Sequence, residues 1–123
     1  MPTPPAPRPT VIVVDDDAGL RRALRYALEI EGFEVVTCRS GEALLDLKLP
    51  ESRACLVVDQ LLPGISGVEA LEVLRERHVD LPAIIVTSAP TARLRARTLL
   101  ANGRLVEKPL LNDLLSGAIK ELI

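Results

Sequence analysis

An apolar run that ends in three acids constrains the fold of this chain more than any other stretch. Four β-branched residues at 11–14 are followed directly by Asp15, Asp16 and Asp17. Such a run predicts a strand buried on both faces, as in a parallel sheet covered by helices. Ligands of open parallel sheets bind just beyond the carboxyl ends of the strands. The acids therefore either cap the next helix, a role that needs only one carboxylate, or form one wall of a site.

Strand and helix patterns alternate five times along the chain. Apolar residues recur at helical spacing through residues 20–28, and Ser66 with Glu69 has the Ser-x-x-Glu pattern of a capping box. The connections are too long for hairpins, which predicts a doubly wound α/β sandwich around a parallel sheet. Residues 1–10, rich in proline, are predicted to be a disordered lead-in, and residues 11–123 to form one domain.

Proline, glycine and serine mark the element boundaries. Ser40 is expected to open a helix that includes Leu47 and stops before Pro50. The last helix is expected to begin with Leu111 and to continue to Leu122. The predicted strands cover residues 11–14, 33–37, 54–58, 83–86 and 105–106.

Composition excludes several classes of function. Of the 123 residues, 48% are apolar and 26% are charged, and the net charge of −2 gives no reason to expect nucleic-acid binding. Aromatic residues make up only 2%, so stacking on bases or flavin rings is not expected. There is no apolar run of membrane-spanning length and no signal-peptide pattern, so we expect a cytoplasmic location. Cys38 and Cys55 fall in strand regions without metal-ligand spacing, and we expect buried, unreactive thiols.

Polar residues stand at the ends of four predicted strands. The first strand ends in Asp15-Asp16, the third in Asp59, the fourth in Thr87 and the fifth in Lys108. These ends meet at one edge of a doubly wound sheet, where three carboxylates would repel one another without a cation. All-oxygen ligands suit Mg²⁺, while a hydroxyl and an ammonium suit phosphoryl oxygens. The set predicts phosphoryl transfer to an aspartate.

In this order and spacing, the motifs resemble the receiver domain of bacterial two-component response regulators, the CheY-like family. Asp15-Asp16 resembles the acidic pair that binds magnesium in that family. Asp59, followed by Leu-Pro-Gly-Ile-Ser-Gly, resembles the phosphoacceptor and its loop, and Lys108-Pro109 resembles the Lys-Pro motif. The resemblance covers about residues 11–123 and implies a flavodoxin-like (βα)5 fold with strand order 2-1-3-4-5.

The resemblance also implies roles for individual residues. Asp59 would take a phosphoryl group from a sensor histidine kinase or a phosphotransfer protein, with no turnover of an external substrate. Mg²⁺ would be held by Asp15, Asp16, Asp59 and the backbone carbonyl of Leu61. Thr87 and Lys108 would contact the phosphoryl oxygens, and their movement would switch the surface of the fourth helix, fifth strand and fifth helix. The Lys-Pro bond is usually cis in this family. The downstream partner would be a separate protein or a fused output domain outside this chain.

Some positions depart from the family pattern. Leu105 stands where an aromatic switch residue is common, and Leu110 where a phenylalanine is common. Leu61 and Ala89 would flank the phosphoryl group with apolar side chains, which predicts a long-lived phosphoaspartate. Because Leu105 replaces the aromatic residue, the signal must leave the site by another route.

Two alternatives stay open from the residues alone. Asp15-x-Asp17 superficially fits the opening motif of aspartate-nucleophile phosphatases of the haloacid-dehalogenase type, although Gly19 stands where that motif wants Thr or Val. A pseudo-receiver, which binds a partner without being phosphorylated, would share the fold. The carboxylate that becomes phosphorylated, Asp59 or Asp15, separates the receiver from the phosphatase.

Overall fold

The computed structural model describes residues 8–110 and 112–123, so most of the predicted lead-in lies outside the described residues. Five parallel strands form one sheet in the order β2-β1-β3-β4-β5, which is the predicted order. The strands are β1 (Thr10–Val14), β2 (Glu34–Cys38), β3 (Ala54–Asp59), β4 (Ala83–Thr87) and β5 (Gly103–Glu107). The helices are α1 (Ala18–Ile30), α2 (Gly41–Asp46), α3 (Gly67–Glu76), α4 (Ala92–Leu100) and α5 (Asn112–Leu122).

Two apolar layers bury the two faces of the sheet. Leu24 and Leu28 of α1 pack with Leu115 and Ile119 of α5 against one face. The other face packs against α2 and α3, whose buried residues include Leu44, Ala70, Leu71 and Leu74. Because both faces are covered, the central strands β1, β3 and β4 read as continuous apolar runs.

Several element boundaries differ from the predicted ones. Helix α2 ends at Asp46, and Leu47 is already extended with ψ 138°, so the prediction of a helix through Leu47 is wrong. Leu47 and Leu49 instead pack against the core from the non-helical segment before Pro50. Proline disfavours helical backbone at Leu49, so a helix could not have continued to the end of this segment. Strand β5 is longer than predicted and pairs with β4 from Gly103 to Glu107. The predicted start of the last helix at Leu111 lies outside the described residues.

Polar contacts fasten α4 to α3. Both guanidinium nitrogens Nε and Nη2 of Arg97 donate to the carboxylate of Glu72, with the Nε bond at 3.2 Å. One turn further along α3, Arg75 donates to four backbone oxygens that lie beyond the ends of α3 and α4. Its partners are Val79 and Leu81 at 2.8 Å, Ala101 at 2.7 Å and Asn102 at 3.2 Å. We call this set of four bonds the Arg75 clamp.

Candidate functional site

The three acids after β1 divide into one cap and two site residues. Asp17 is the N-cap of α1, and its Oδ1 accepts from the backbone N–H of Gly19 at 2.9 Å and of Leu20 at 3.2 Å. Asp15 is buried, and its Oδ1 accepts from the N–H of Asp17 at 2.8 Å. Asp16 is exposed. The capping interpretation is therefore confirmed for Asp17, whereas Asp15 and Asp16 lie beside Asp59.

Asp59 lies beside this pair because β3 is the neighbour of β1. It is the last residue of β3 and is only 6% exposed. One carboxylate oxygen from each of Asp15, Asp16 and Asp59 lies within 4.8 Å of the others. The neighbouring N–H of Leu61 donates to Asp59 Oδ1 at 3.3 Å. The sheet thus brings together three acids that are up to 44 positions apart in sequence.

Lys108 reaches the same cluster from beyond β5. Its Nζ lies 2.9 Å from Asp59 Oδ2, and its backbone N–H donates to the oxygen of Thr87 at 2.8 Å. The Lys108–Pro109 peptide bond is cis, as expected from the resemblance. Thr87 ends β4 and is buried, and its Oγ1 accepts from the N–H of Ala89 at 3.1 Å. A cavity of about 460 Å³ opens between these four strand ends.

The charges of the cluster do not balance. Within the described residues, three carboxylates face one ammonium, that of Lys108. Burial raises the pKa of Asp15 above its ordinary value, the N–H of Asp17 opposes this shift, and the carboxylate of Asp59 adds to it. A divalent cation bound between the carboxylates would relieve both the repulsion and the burial cost. The donors are oxygens, as Mg²⁺ prefers, so the residues present fit that ion.

Leu61 and Leu105, two further predicted residues, lie in different surroundings. Leu61 lines the cavity, although its side chain is 83% exposed. Leu105 is half-buried in β5 and packs against the core on the face covered by α2 and α3. Leu105 therefore belongs to the apolar layer on that face of the sheet.

Gln60 and Gly67 link the end of β3 to the start of α3, and of the two only Gly67 belonged to a motif noted in the sequence. Gln60 Oε1 accepts from the N–H of Val68 at 2.8 Å, which ties the residue after Asp59 to the start of α3. A Cβ on Gly67 would lie 2.4 Å from the backbone oxygen of Asp59, so only glycine allows this approach. The sequence feature that indicates this junction is the Ser66–Glu69 capping box. The structure contains this box, which starts α3 at Gly67.

Comparison with known proteins agrees with this geometry. The family model "Response regulator receiver domain" matches residues 11–120. The transcriptional regulatory protein FixJ of Azorhizobium caulinodans is 33% identical over 111 residues, which is 89% of this chain and 53% of FixJ. The phosphate regulon regulator PhoB of Rhizobium meliloti is 36% identical over 121 residues, 94% of this chain and 52% of PhoB. The chain thus spans about half the length of these two relatives.

Solved structures show the same fold. The response regulator StyR aligns with a TM-score of 0.86 and 34% identity, over 94% of this chain and 59% of StyR. The structure titled FIXJ-N aligns with a TM-score of 0.81 and 29% identity, over 95% and 94% of the two chains. The described residues contain no helix long and apolar enough to cross a membrane. The family match, the relatives and the sheet order lead to one conclusion: this chain belongs to the receiver domains of two-component response regulators.

Proposed function

We propose that this receiver accepts a phosphoryl group on Asp59 and thereby switches a protein-interaction surface. The donor is the phosphohistidine of a sensor histidine kinase or of a phosphotransfer protein. An Asp59 carboxylate oxygen attacks phosphorus, the P–N bond breaks, and its electron pair stays with the departing imidazole. No external substrate is turned over. On the sequence grounds given above, the proposed location is the cytoplasm.

The observation that carries the proposal is the contact of Asp59 with both kinds of group that the reaction needs. Its carboxylate lies against the Asp15–Asp16 pair on one side and against Lys108 on the other. Asp15, Asp16, Asp59 and the carbonyl of Leu61 would hold Mg²⁺, which supplies positive charge to the transferring phosphoryl oxygens. Lys108 Nζ, now bound to Asp59, and the Thr87 hydroxyl would donate to the same oxygens.

The test is the intact mass of the full chain after incubation with Mg²⁺ and acetyl phosphate. Wild type should gain one phosphoryl group, and Asp59→Ala should gain none. Asp17→Asn is a matched control, because it removes one charge from the same acidic run while asparagine still caps α1. This control should be labelled like wild type. Omission of Mg²⁺ should abolish the labelling of every variant.

Other outcomes would identify the alternatives. Labelling that survives in Asp59→Ala and is lost in Asp15→Ala would favour the phosphatase-like chemistry. Absence of labelling in wild type would favour a pseudo-receiver. In the labelled protein, the phosphoaspartate should persist for minutes after donor removal, because the side chains of Leu61 and Ala89 offer no polar atom to orient water. Hydrolysis within seconds would contradict that part of the proposal.

The proposed partners follow from the proposed phosphorylation of Asp59. A kinase or phosphotransfer protein approaches Asp59, and a downstream protein or a fused output domain responds at α4, β5 and α5. Leu105 occupies the position of the usual aromatic switch in β5, so the response must run through Thr87, Lys108 and the packing of α4. Phosphorylation should therefore change backbone amide resonances in α4 in wild type and not in Asp59→Ala.

A further inference from the structure

A second polar cavity lies between α1 and β2 and shares no lining residue with the acid cluster. It has a volume of about 150 Å³, which is large enough for a tetrahedral oxyanion. Its walls are three arginines of α1, the first residue of that helix and one threonine of β2. These residues are Ala18, Arg21, Arg22, Arg25 and Thr37.

Two of the three guanidinium groups are held in place by the sheet. Arg21 Nη1 donates to the backbone oxygen of Asp15 at 2.7 Å, at the end of β1. Arg25 Nη2 donates to the backbone oxygen of Val35 at 3.0 Å, in β2. Each of these bonds uses one of the five N–H donors of a guanidinium group, so further donors remain available beside the cavity. The arginines are thus oriented before any ligand arrives.

The positive charge at this cavity is poorly compensated within the described part of the chain. Arg22 has no hydrogen bond or ion pair there, and Glu29 offers one carboxylate, 3.6 Å from Arg25 Nε. Arg21 and Arg25 are four residues apart on one helix, a spacing at which like charges repel. A bound anion would relieve this repulsion.

From these observations we infer that the cavity between α1 and β2 binds a phosphate-type oxyanion, carried by a small phosphorylated molecule. Planar guanidinium groups with several N–H donors suit the oxygens of phosphate, and the Thr37 hydroxyl can donate as well. The cavity holds one phosphate group and opens to solvent, so the rest of the ligand would extend away from the protein. This site is separate from the phosphoacceptor and does not depend on phosphorylation of Asp59.

The test is a titration of the ¹⁵N-labelled full chain with inorganic phosphate, followed by NMR. Mg²⁺ is left out, so that phosphate has no metal ion to bind at the acid cluster. Saturable shifts should appear at the Arg21, Arg22 and Arg25 Nε–H groups and at the Thr37 amide, with millimolar affinity. Arg22→Ala should weaken binding about tenfold or more, since it removes charged hydrogen bonds without breaking one inside the protein. Arg95→Ala is the matched control on α4 and should bind like wild type.

Further arms identify the source of the anion. Methyl phosphate should bind at least as well as inorganic phosphate if a phosphomonoester is the natural ligand. Chloride at matched ionic strength should give no saturable shift at these groups. Equal weakening in Arg22→Ala and Arg95→Ala, the same shifts with chloride, or the absence of saturation would overturn the inference. Binding of an oligoglutamate peptide without binding of either phosphate would overturn it in favour of an acidic protein partner.

Discussion

The contact between Gly67 and the backbone of Asp59 makes a sharp prediction about stability. In Gly67→Ala the new Cβ would lie 2.4 Å from the Asp59 oxygen and 3.0 Å from its carbonyl carbon. These are backbone atoms, so no side-chain rotation can relieve the clash, and α3 must move away from β3. Overpacking of this kind costs about 1–3 kcal/mol. The helix preference of alanine over glycine returns at most about 1 kcal/mol. We expect a net loss of unfolding free energy of about 1–2 kcal/mol for this variant.

Gly117 in α5 provides the matched control for the same substitution. A Cβ at this position would meet no atom of the described residues within 4 Å, so only the helix preference operates. Gly117→Ala should therefore raise the unfolding free energy by about 0.5–1 kcal/mol.

Urea unfolding followed by circular dichroism measures both changes, and the two variants should move in opposite directions. Acetyl phosphate labelling supplies a second readout. The labelling should slow in Gly67→Ala, where the start of α3 is displaced from the loop after Asp59, and stay at the wild-type rate in Gly117→Ala. A Gly67→Ala variant as stable as wild type would refute the argument, because it would mean that α3 can move away from β3 at no cost.

Three other substitutions test contacts that do not involve Asp59. Arg75→Met keeps the aliphatic part of the side chain but removes the Arg75 clamp, so it should lower the unfolding free energy measured in urea by about 2 kcal/mol. The control Arg93→Met, at an exposed position of α4, should change the unfolding free energy by less than about 0.5 kcal/mol. Ser66→Ala removes the cap of α3 and should cost about 1 kcal/mol in the same assay. Burial raises the pKa of the Cys55 thiol from 9.0 to about 12, so its unfolded form loses its proton first and stability should fall as pH rises from 9 to 12. That fall should be steeper in wild type than in Cys55→Ala, and equal slopes would contradict it.

The position of the site was predictable because it depends on one rule of parallel sheets. Strand carboxyl ends meet at one edge, so Asp15, Asp59, Thr87 and Lys108 could be assigned to one neighbourhood from local patterns. Which of Asp15, Asp16 and Asp17 caps α1 could not be predicted, because aspartate is a good N-cap at each of these positions. Only the backbone direction after β1 decides that Asp17 turns toward the helix while Asp15 turns into the cluster.

Features that depend on tertiary contacts were outside the reach of sequence patterns. Arg75 is an ordinary helical residue by its spacing, and its clamp exists because α3 and α4 end close together. The length of α2 was overestimated because Leu47 fits a helical stripe, yet it fills the core from extended backbone. The capping box indicated that a helix starts at Gly67, but the close approach of Gly67 to the Asp59 backbone depends on how α3 meets β3 and could not be predicted.

The spacing of the strands accounts for the side-chain lengths found at the site. Neighbouring strands are about 4.8 Å apart, so β4 lies one step and β5 two steps from β3, the strand that ends in Asp59. Threonine, on the nearer strand, has a short side chain that keeps its hydroxyl close to the end of β4. The end of β5 is about 10 Å from that of β3, and there only a long side chain can bring a charge to within 2.9 Å of Asp59. The strand spacing therefore sets the side-chain length that is needed at each position. A shorter cationic side chain at position 108 would not reach Asp59, even with its charge intact.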